Sequence, residues 1–187
     1  LLDAGGAFPI EGKALIRVGG ADHIRYLNGQ LTSDALRLSP GRAKSTLLLT
    51  VKGKLCAPLW IWKEAASMVI EVDECLLQAT LDRLERYIIS DDVTLTQVPS
   101  PSPAFHVFGT GRSPDGSRII SRLGVEGYDS GSLPDGLLQA APEEREFLRI
   151  RRGIPRWGFE LDATTLPQEA RLESDSVDFD KGCYVGQ

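Results

Sequence analysis

The residues of this sequence best suited to chemistry lie in its last ten, Asp178 to Gln187, which read D-F-D-K-G-C-Y-V-G-Q. A thiol, Cys183, follows Gly182, precedes Gly186 by three positions, and comes two residues after an ammonium, Lys181. The thiolate is the nucleophilic and metal-binding form of cysteine, and a neighbouring cation lowers the pKa that governs how much of it exists. Glycines on both sides allow a tight turn that another chain or a flat ligand can approach. The competing reading is a small buried cysteine in an ordinary turn. The other reactive side chains are few. Cys56 and Cys75 bring the cysteines to an odd number without C-x-x-C spacing, and only His23 and His106 accompany them. Neither a disulfide framework nor a zinc site follows, no metal ligand is assigned, and a reducing compartment fits this usage.

K-G-C-Y-V-G-Q resembles the K-G-C-[FY]-x-G-Q motif of YgfZ-type folate-binding proteins, relatives of the glycine cleavage T-protein. Lys181, Gly182, Cys183, Tyr184, Gly186 and Gln187 match it. The stretch L-N-G-Q-L-T-S-D, Leu27 to Asp34, resembles a family segment beside the folate cavity, which implies Asn28, Gln30, Thr32 and Asp34 as polar contacts. Read alone, Thr32, Ser33 and Asp34 equally well end a helix and begin a turn. Gly153 to Ala170, with G-I-P early and P-Q-E-A late, resembles a connection shared by T-proteins and their YgfZ-type relatives. A reduced pterin is a flat ring with a donor-bearing edge. For such a ligand the resemblance implies a carboxylate from Glu160 or Asp162, an aromatic wall from Trp157 or Tyr184, and a cation for the glutamate tail from Arg149 or Arg152.

The resembled proteins divide by chemistry. T-proteins transfer a one-carbon unit from an aminomethyl carrier to tetrahydrofolate and use an aspartate after a glycine turn. Here the matching stretch is V-K-G-K-L-C-A-P-L, and that position falls on Ala57 or Pro58, neither of which can move a proton. The resemblance therefore implies a tetrahydrofolate-binding accessory protein that supports iron-sulfur cluster assembly or repair. Cys183 is its functional thiol, Lys181 the thiol's activator and Gln187 a polar neighbour orienting the turn. Its partners are iron-sulfur enzyme clients or cluster-assembly proteins. One thiol cannot hold a cluster alone. An aminomethyltransferase and a non-catalytic interaction domain are the alternatives, and whether the chain has a folate-dependent one-carbon activity stays open. The implied location is the cytoplasm, or the mitochondrial matrix in a eukaryote.

Ordinary globular composition must position these groups: 187 residues, 42% hydrophobic and 25% charged, with net charge -5 and basic residues interspersed with acidic ones. No electrostatic footprint for nucleic acid or an anionic membrane stands out, and no apolar run is long enough to span a bilayer. Lys13 to Val18 reads as a strand, followed by a helix capped at Asp22 with Ile24, Leu27 and Leu31 on one face. Lys44 to Val51 and Leu55 to Trp62 read as a hairpin about the Lys52-Gly53-Lys54 turn, and Pro58 predicts a bulge or an edge. Met68 to Val72 is a further strand. A helix over 74–88, capped at Asp73, carries a core stripe of Leu77, Leu81, Leu84 and Ile88. Strands are predicted at Val93 to Val98, Phe105 to Gly109 and Arg118 to Arg122, the first two separated by Pro99, Pro101 and Pro103. A last helix runs from Pro142 to about Arg152, with acids first, arginines last and Gly153 beyond. This is an α+β pattern of antiparallel sheets with packed helices. The resemblance implies a T-protein N-terminal-like fold: residues 1–50 with 141–187 as a discontinuous folate-binding domain, 51–140 as a ferredoxin-like subdomain, and a small barrel expected after 187.

Overall fold

A computed structural model describes residues 5–100 and 104–187, so Pro101 and Pro103 fall outside the described residues. The chain forms two compact units, one of residues 12–100 with 157–187 and one of residues 1–11 with 101–156.

The larger unit is built on a five-stranded antiparallel sheet. Its strands are β2 (Lys13–Gly19), β3 (Lys44–Leu49), β4 (Leu55–Lys63), β5 (Met68–Asp73) and β6 (Thr94–Val98), in the spatial order β3-β4-β5-β2-β6. Helix α1 (His23–Gln30) follows β2, and a 3-10 turn (Glu74–Leu76) leads into α2 (Leu77–Glu85) before β6. Without the edge strand β3, the sequence β2-α1-β4-β5-α2-β6 in the order β4-β5-β2-β6 is the split βαβ of a ferredoxin-like layer. That layer therefore occupies residues 13–98 rather than 51–140. Strand pairing decides this, because β2 sits between β5 and β6 and joins the two ends of the segment.

Apolar alternation along the strands gives the core. Ile16, Val18, Leu27, Leu31, Leu48, Ala57, Ile61, Ile70 and Leu84 are fully buried in one cluster. At about 25 cal/mol per Å² of apolar surface removed from water, this cluster is what holds α1 and α2 on the sheet. The register shifts between Leu48 and Leu49, opposite Ala57 and Leu55, so the predicted irregularity lies just before Pro58. On α2 the buried side chains are Thr80, Arg83 and Leu84, whereas Leu77 and Leu81 are half-buried; Ile88, also half-buried, lies beyond the helix end at Glu85. Asp73 makes no capping bond, because its carboxylate pairs with Lys13 across the β2–β5 ladder.

The smaller unit holds the four-stranded antiparallel sheet β1-β7-β9-β8, formed by Gly6–Pro9, Phe105–Phe108, Val125–Ser130 and Ile119–Arg122. Helix α3 (Pro142–Arg151) is tied to it by Arg145 on the Pro9 carbonyl and Arg152 on the Gly124 carbonyl. At the centre lies fully buried His106. Its Nδ1 is 3.1 Å from Asp129 and its Nε2 3.1 Å from the Val125 carbonyl. Arg122 donates to both oxygens of Asp129, at 3.0 and 2.7 Å. Burial pushes the Asp129 carboxyl up, and the hydrogen bonds from His106 and Arg122 outweigh it, bringing the pKa down to about 2.

Since the folded value lies below the unfolded one, the contribution of Asp129 is complete above about pH 4 and is lost as pH falls towards 2. Replacing Asp129 with asparagine takes from the buried Arg122 and His106 the carboxylate that they share. We expect a loss of about 3 kcal/mol of stability at pH 7, seen in urea unfolding, and a flatter stability profile between pH 4 and 2 than that of the parent chain. Equal acid sensitivity in both proteins would contradict this assignment.

Candidate functional site

Two segments far apart in sequence are fastened together in the larger unit. The first is the end of α1 with the loop after it. The second is the run from the short helix α4 (Glu173–Ser176) to Gln187. The Ser176 carbonyl accepts from the hydroxyls of Thr32, at 2.5 Å, and Ser33, at 3.1 Å. The Asp178 amide donates to the Thr32 carbonyl, and the Asp178 carboxylate accepts from the Asp34 amide at 2.7 Å and from Lys44 at 3.0 Å. Further along, the Val185 amide donates to the Gly29 carbonyl at 3.0 Å.

Lys181 is the principal clamp. Its ammonium donates to the carbonyls of Asn28 and Leu31, both at 2.5 Å, and lies 4.9 Å from the centre of the Tyr184 ring. A cation at the C-terminal end of a helix meets carbonyls that have no intrahelical partner, and an aromatic face adds to the attraction. Its partners are thus the end of α1 and Tyr184, so its clearest role is to hold the turn rather than to activate the thiol. Burial lowers its pKa to about 8, against the pull of Asp34 and Asp178.

The folded chain therefore releases this proton before the unfolded chain does, and the group makes stability rise as pH increases from about 8 towards the ordinary lysine value of 10.5. Carbon-13 titration of the lysine side chains should find one amine with a midpoint near 8, absent in Lys181→Met. A set of lysines that all titrate near 10.5 would contradict this geometry.

Cys183 is exposed on this fastened turn; Cys75, in the 3-10 turn before α2, is exposed as well, whereas Cys56 is half-buried and burial raises its pKa. Tyr184 and Trp157 both pack against Leu47, Leu49, Leu55 and Leu161. Trp157 lies early in the Gly153 to Ala170 connection, which is strapped to the β3–β4 hairpin by the Leu55 amide on the Thr165 carbonyl. Beside the motif, residues 34–44 and 177–181 border a cleft of about 550 Å³. Among the described residues, no three His, Cys, Asp or Glu side chains gather as a metal site.

The roles expected of several residues change. Thr32 is fully buried, its hydroxyl given to Ser176 and accepting from the Leu47 amide, so it is a strut and not a ligand contact. Asp162 closes its own turn by accepting from the Thr164 amide and from the hydroxyls of Thr164 and Thr165. Its pKa is lowered by the Thr164 hydroxyl first of all. Arg149, in the smaller unit, is held by Glu146 and by the Ile154 carbonyl, so its guanidinium is engaged by its own helix and the turn that follows. The Asn28 side-chain oxygen accepts from the Ala35 amide. Glu160 and Gln187 are exposed, and the Gln187 amide donates to the Tyr184 carbonyl.

Gln30 leads to a residue that sequence reasoning misses. Its side-chain oxygen accepts from Arg83, which also donates to the Leu49 carbonyl at 2.9 Å and lies over the Tyr87 ring at 4.2 Å. Arg83 is 8% exposed, and its Nη2 is buried without a hydrogen-bond partner. Burial lowers its pKa, with Tyr87, Cys56, Tyr26 and Arg86 the charged or titratable neighbours. An arginine beside Leu84 on an otherwise apolar helical stripe is the signal that the sequence carries.

The fold is shared with a glycine cleavage system aminomethyltransferase T from Bartonella henselae. The TM-score is 0.73 at 17% identity, over 88% of this chain and 55% of that one. In sequence, the chain is 27% identical to an iron-sulfur cluster assembly factor IBA57 homolog, mitochondrial, from Phaeosphaeria nodorum, over 98% of this chain and 51% of the relative. It is 27% identical to the mitochondrial iron-sulfur cluster assembly factor IBA57 of Mus musculus, over 96% and 60%. To the tRNA-modifying protein YgfZ of Sodalis glossinidius it is 25% identical, over 95% and 64%. The chain thus spans between half and two thirds of the length of these relatives. No family model matches it.

Proposed function

We propose that this chain is of the YgfZ/IBA57 kind: a tetrahydrofolate-binding accessory protein that supports iron-sulfur cluster assembly or repair, acting through the Cys183 thiol. The observation that carries the reading is the junction of the Leu27 to Asp34 segment with the terminal motif, which fixes a turn at both ends and leaves its thiol exposed. The names of the relatives and the shared fold support the same class. Ala57, fully buried in the core, and Pro58 offer no acid where a T-protein resemblance calls for one, which speaks against aminomethyl transfer.

For a reduced folate we read the donor set with changed membership. Trp157 and Tyr184 would wall the pterin ring, and Glu160 would take its donor-bearing edge. The spare N–H of Arg83 would meet a carbonyl or carboxylate that no described residue supplies. When bound, the folate would supply one-carbon or reducing chemistry. The chain's own part is to hold the ring, anchor an acceptor at Arg83 and present the thiol. An iron-sulfur cluster would be cargo, its further ligands coming from a partner protein, since a single thiolate is not enough. The mitochondrial matrix or the bacterial cytoplasm suits such a thiol.

Titration calorimetry with tetrahydrofolate should show saturable binding to the parent chain, weakened about tenfold in Trp157→Ala by the loss of one stacking wall. Absence of binding, or turnover of an aminomethyl-loaded lipoyl carrier, would overturn the proposal.

A further inference from the structure

Arg83 occupies a position on α2 where the core pattern calls for an apolar residue. Beside Leu84 the helix buries a guanidinium almost completely and leaves its Nη2 without a hydrogen-bond partner. A buried and incompletely satisfied cation contributes poorly to stability, and breaks in a core pattern are expected where a side chain serves function. What Arg83 holds is specific. Its Nε donates to the carbonyl of Leu49, the last residue of β3, at 2.9 Å, and its Nη1 to the side-chain oxygen of Gln30, the last residue of α1, at 3.0 Å. The Tyr87 ring, 4.2 Å from the guanidinium carbon, stacks on the group and steadies its plane. Those two ends are the seats of the terminal turn. Lys181 donates to the Asn28 and Leu31 carbonyls, and the Val185 amide to the Gly29 carbonyl. Gly186 lies so near the end of β3 that a Cβ on it would come within 2.8 Å of the Leu49 Cβ. A backbone bridge between Leu31 and Leu48 already joins the two segments, so Arg83 is not required to bring them together. It sets where their last residues stand relative to each other.

We infer that Arg83 is a positioning residue for Cys183: by tying Gln30 to the Leu49 carbonyl it fixes both seats of the turn over residues 181–187, and with them the place where the thiol is presented. It acts through the seats and not on the sulfur. A planar fork suits this task, since it holds two acceptors at a set angle where an ammonium would offer a point charge. The end of α1 is thus gripped from two directions, by Lys181 of the terminal turn on its backbone and by Arg83 of α2 on its last side chain. The inference rests on the reading of Cys183 as the acting thiol for its consequence, and on these hydrogen bonds alone for its geometry.

The test is amide hydrogen exchange, without folate, on the parent chain, Arg83→Met, Gln30→Met and Thr80→Val, with native circular dichroism required of each. Thr80→Val is the control, because it removes another buried polar atom of α2 that makes no hydrogen bond to either seat. In Arg83→Met, exchange at Val185 should accelerate at least about tenfold relative to exchange in β5, which reports opening of the whole sheet. Gln30→Met cuts the tie at its α1 end while Arg83 stays in place, and should accelerate Val185 in the same sense by about threefold or more. It decides the matter if Arg83→Met fails to fold. Thr80→Val should keep the parent ratio. A parent-like ratio in the folded Arg83 and Gln30 variants, or an acceleration reproduced by Thr80→Val, would overturn the inference. So would full restoration of an iron-sulfur enzyme by Arg83→Met, in cells lacking their own protein of this kind, where Cys183→Ala fails to restore it. Restoration by both variants would instead overturn the thiol reading, and the exchange ratios would still decide whether Arg83 sets the turn.

Discussion

Replacing Gly186 with alanine should release the terminal turn from the sheet while leaving the rest of the larger unit folded. Gly186 has φ +92°, a conformation that L side chains rarely adopt. A Cβ there would lie 2.3 Å from the Thr50 carbonyl oxygen and 2.8 Å from the Leu49 Cβ. Neither neighbour can rotate away, because one is backbone and the other is rooted in the buried end of β3. The strained dihedral and the overlap together should cost about 3 kcal/mol, more than the hydrogen bond from the Val185 amide to the Gly29 carbonyl can hold. Amide exchange at Val185 should accelerate roughly 100-fold, with exchange in β4 and β5 unchanged. Gly182→Ala is the contrast: a Cβ at that position would meet nothing within 4 Å, so exchange should stay at the parent rate. Equal behaviour of the two variants would mean that the turn is not seated on Thr50.

The larger unit is legible in its sequence where burial and periodicity agree. β2, the β3–β4 hairpin and β5 follow from their apolar alternation, and the leucines of α2 from theirs. Other features depend on partners distant in sequence. β9 contains V-E-G-Y-D-S, which reads as turn-forming. Gly127 is needed there because a Cβ would lie 1.9 Å from the Val107 carbonyl oxygen, and Asp129 tolerates the strand because His106 and Arg122 satisfy its carboxylate. Helix α4, E-S-D-S, lacks any local apolar pattern and is fixed by Thr32 and Ser33 reaching its last carbonyl. At the site, the sequence points to both the terminal motif and the 27–34 segment that meets it. The roles within the site are harder to read, because Asp162 closes its own turn, while Lys181 and Thr32 are taken up by partners distant in sequence. Arg83 is hidden by its setting among leucines.

Cys183→Ala should lower the proposed activity at least about tenfold and leave the fold alone. The thiol is exposed, so its removal creates no cavity, and stability should change by less than about 0.5 kcal/mol. The clamp of Lys181 on Asn28 and Leu31 and the seat of Gly186 do not involve the sulfur. What disappears is the sulfur that a partner or a cluster could meet on this turn, and a nucleophile or ligand atom has no substitute in a methyl group. Cys75→Ala removes another exposed thiol from a different element and serves as the control.

The most direct measurement is the activity of an iron-sulfur enzyme in cells that lack their own protein of this kind and carry the parent chain, Cys75→Ala or Cys183→Ala at matched abundance. The parent and Cys75→Ala should restore it, and Cys183→Ala should fall at least about tenfold short, the scale of losing a reacting group. Full restoration by Cys183→Ala would contradict the claim that this exposed thiol is where the chain acts.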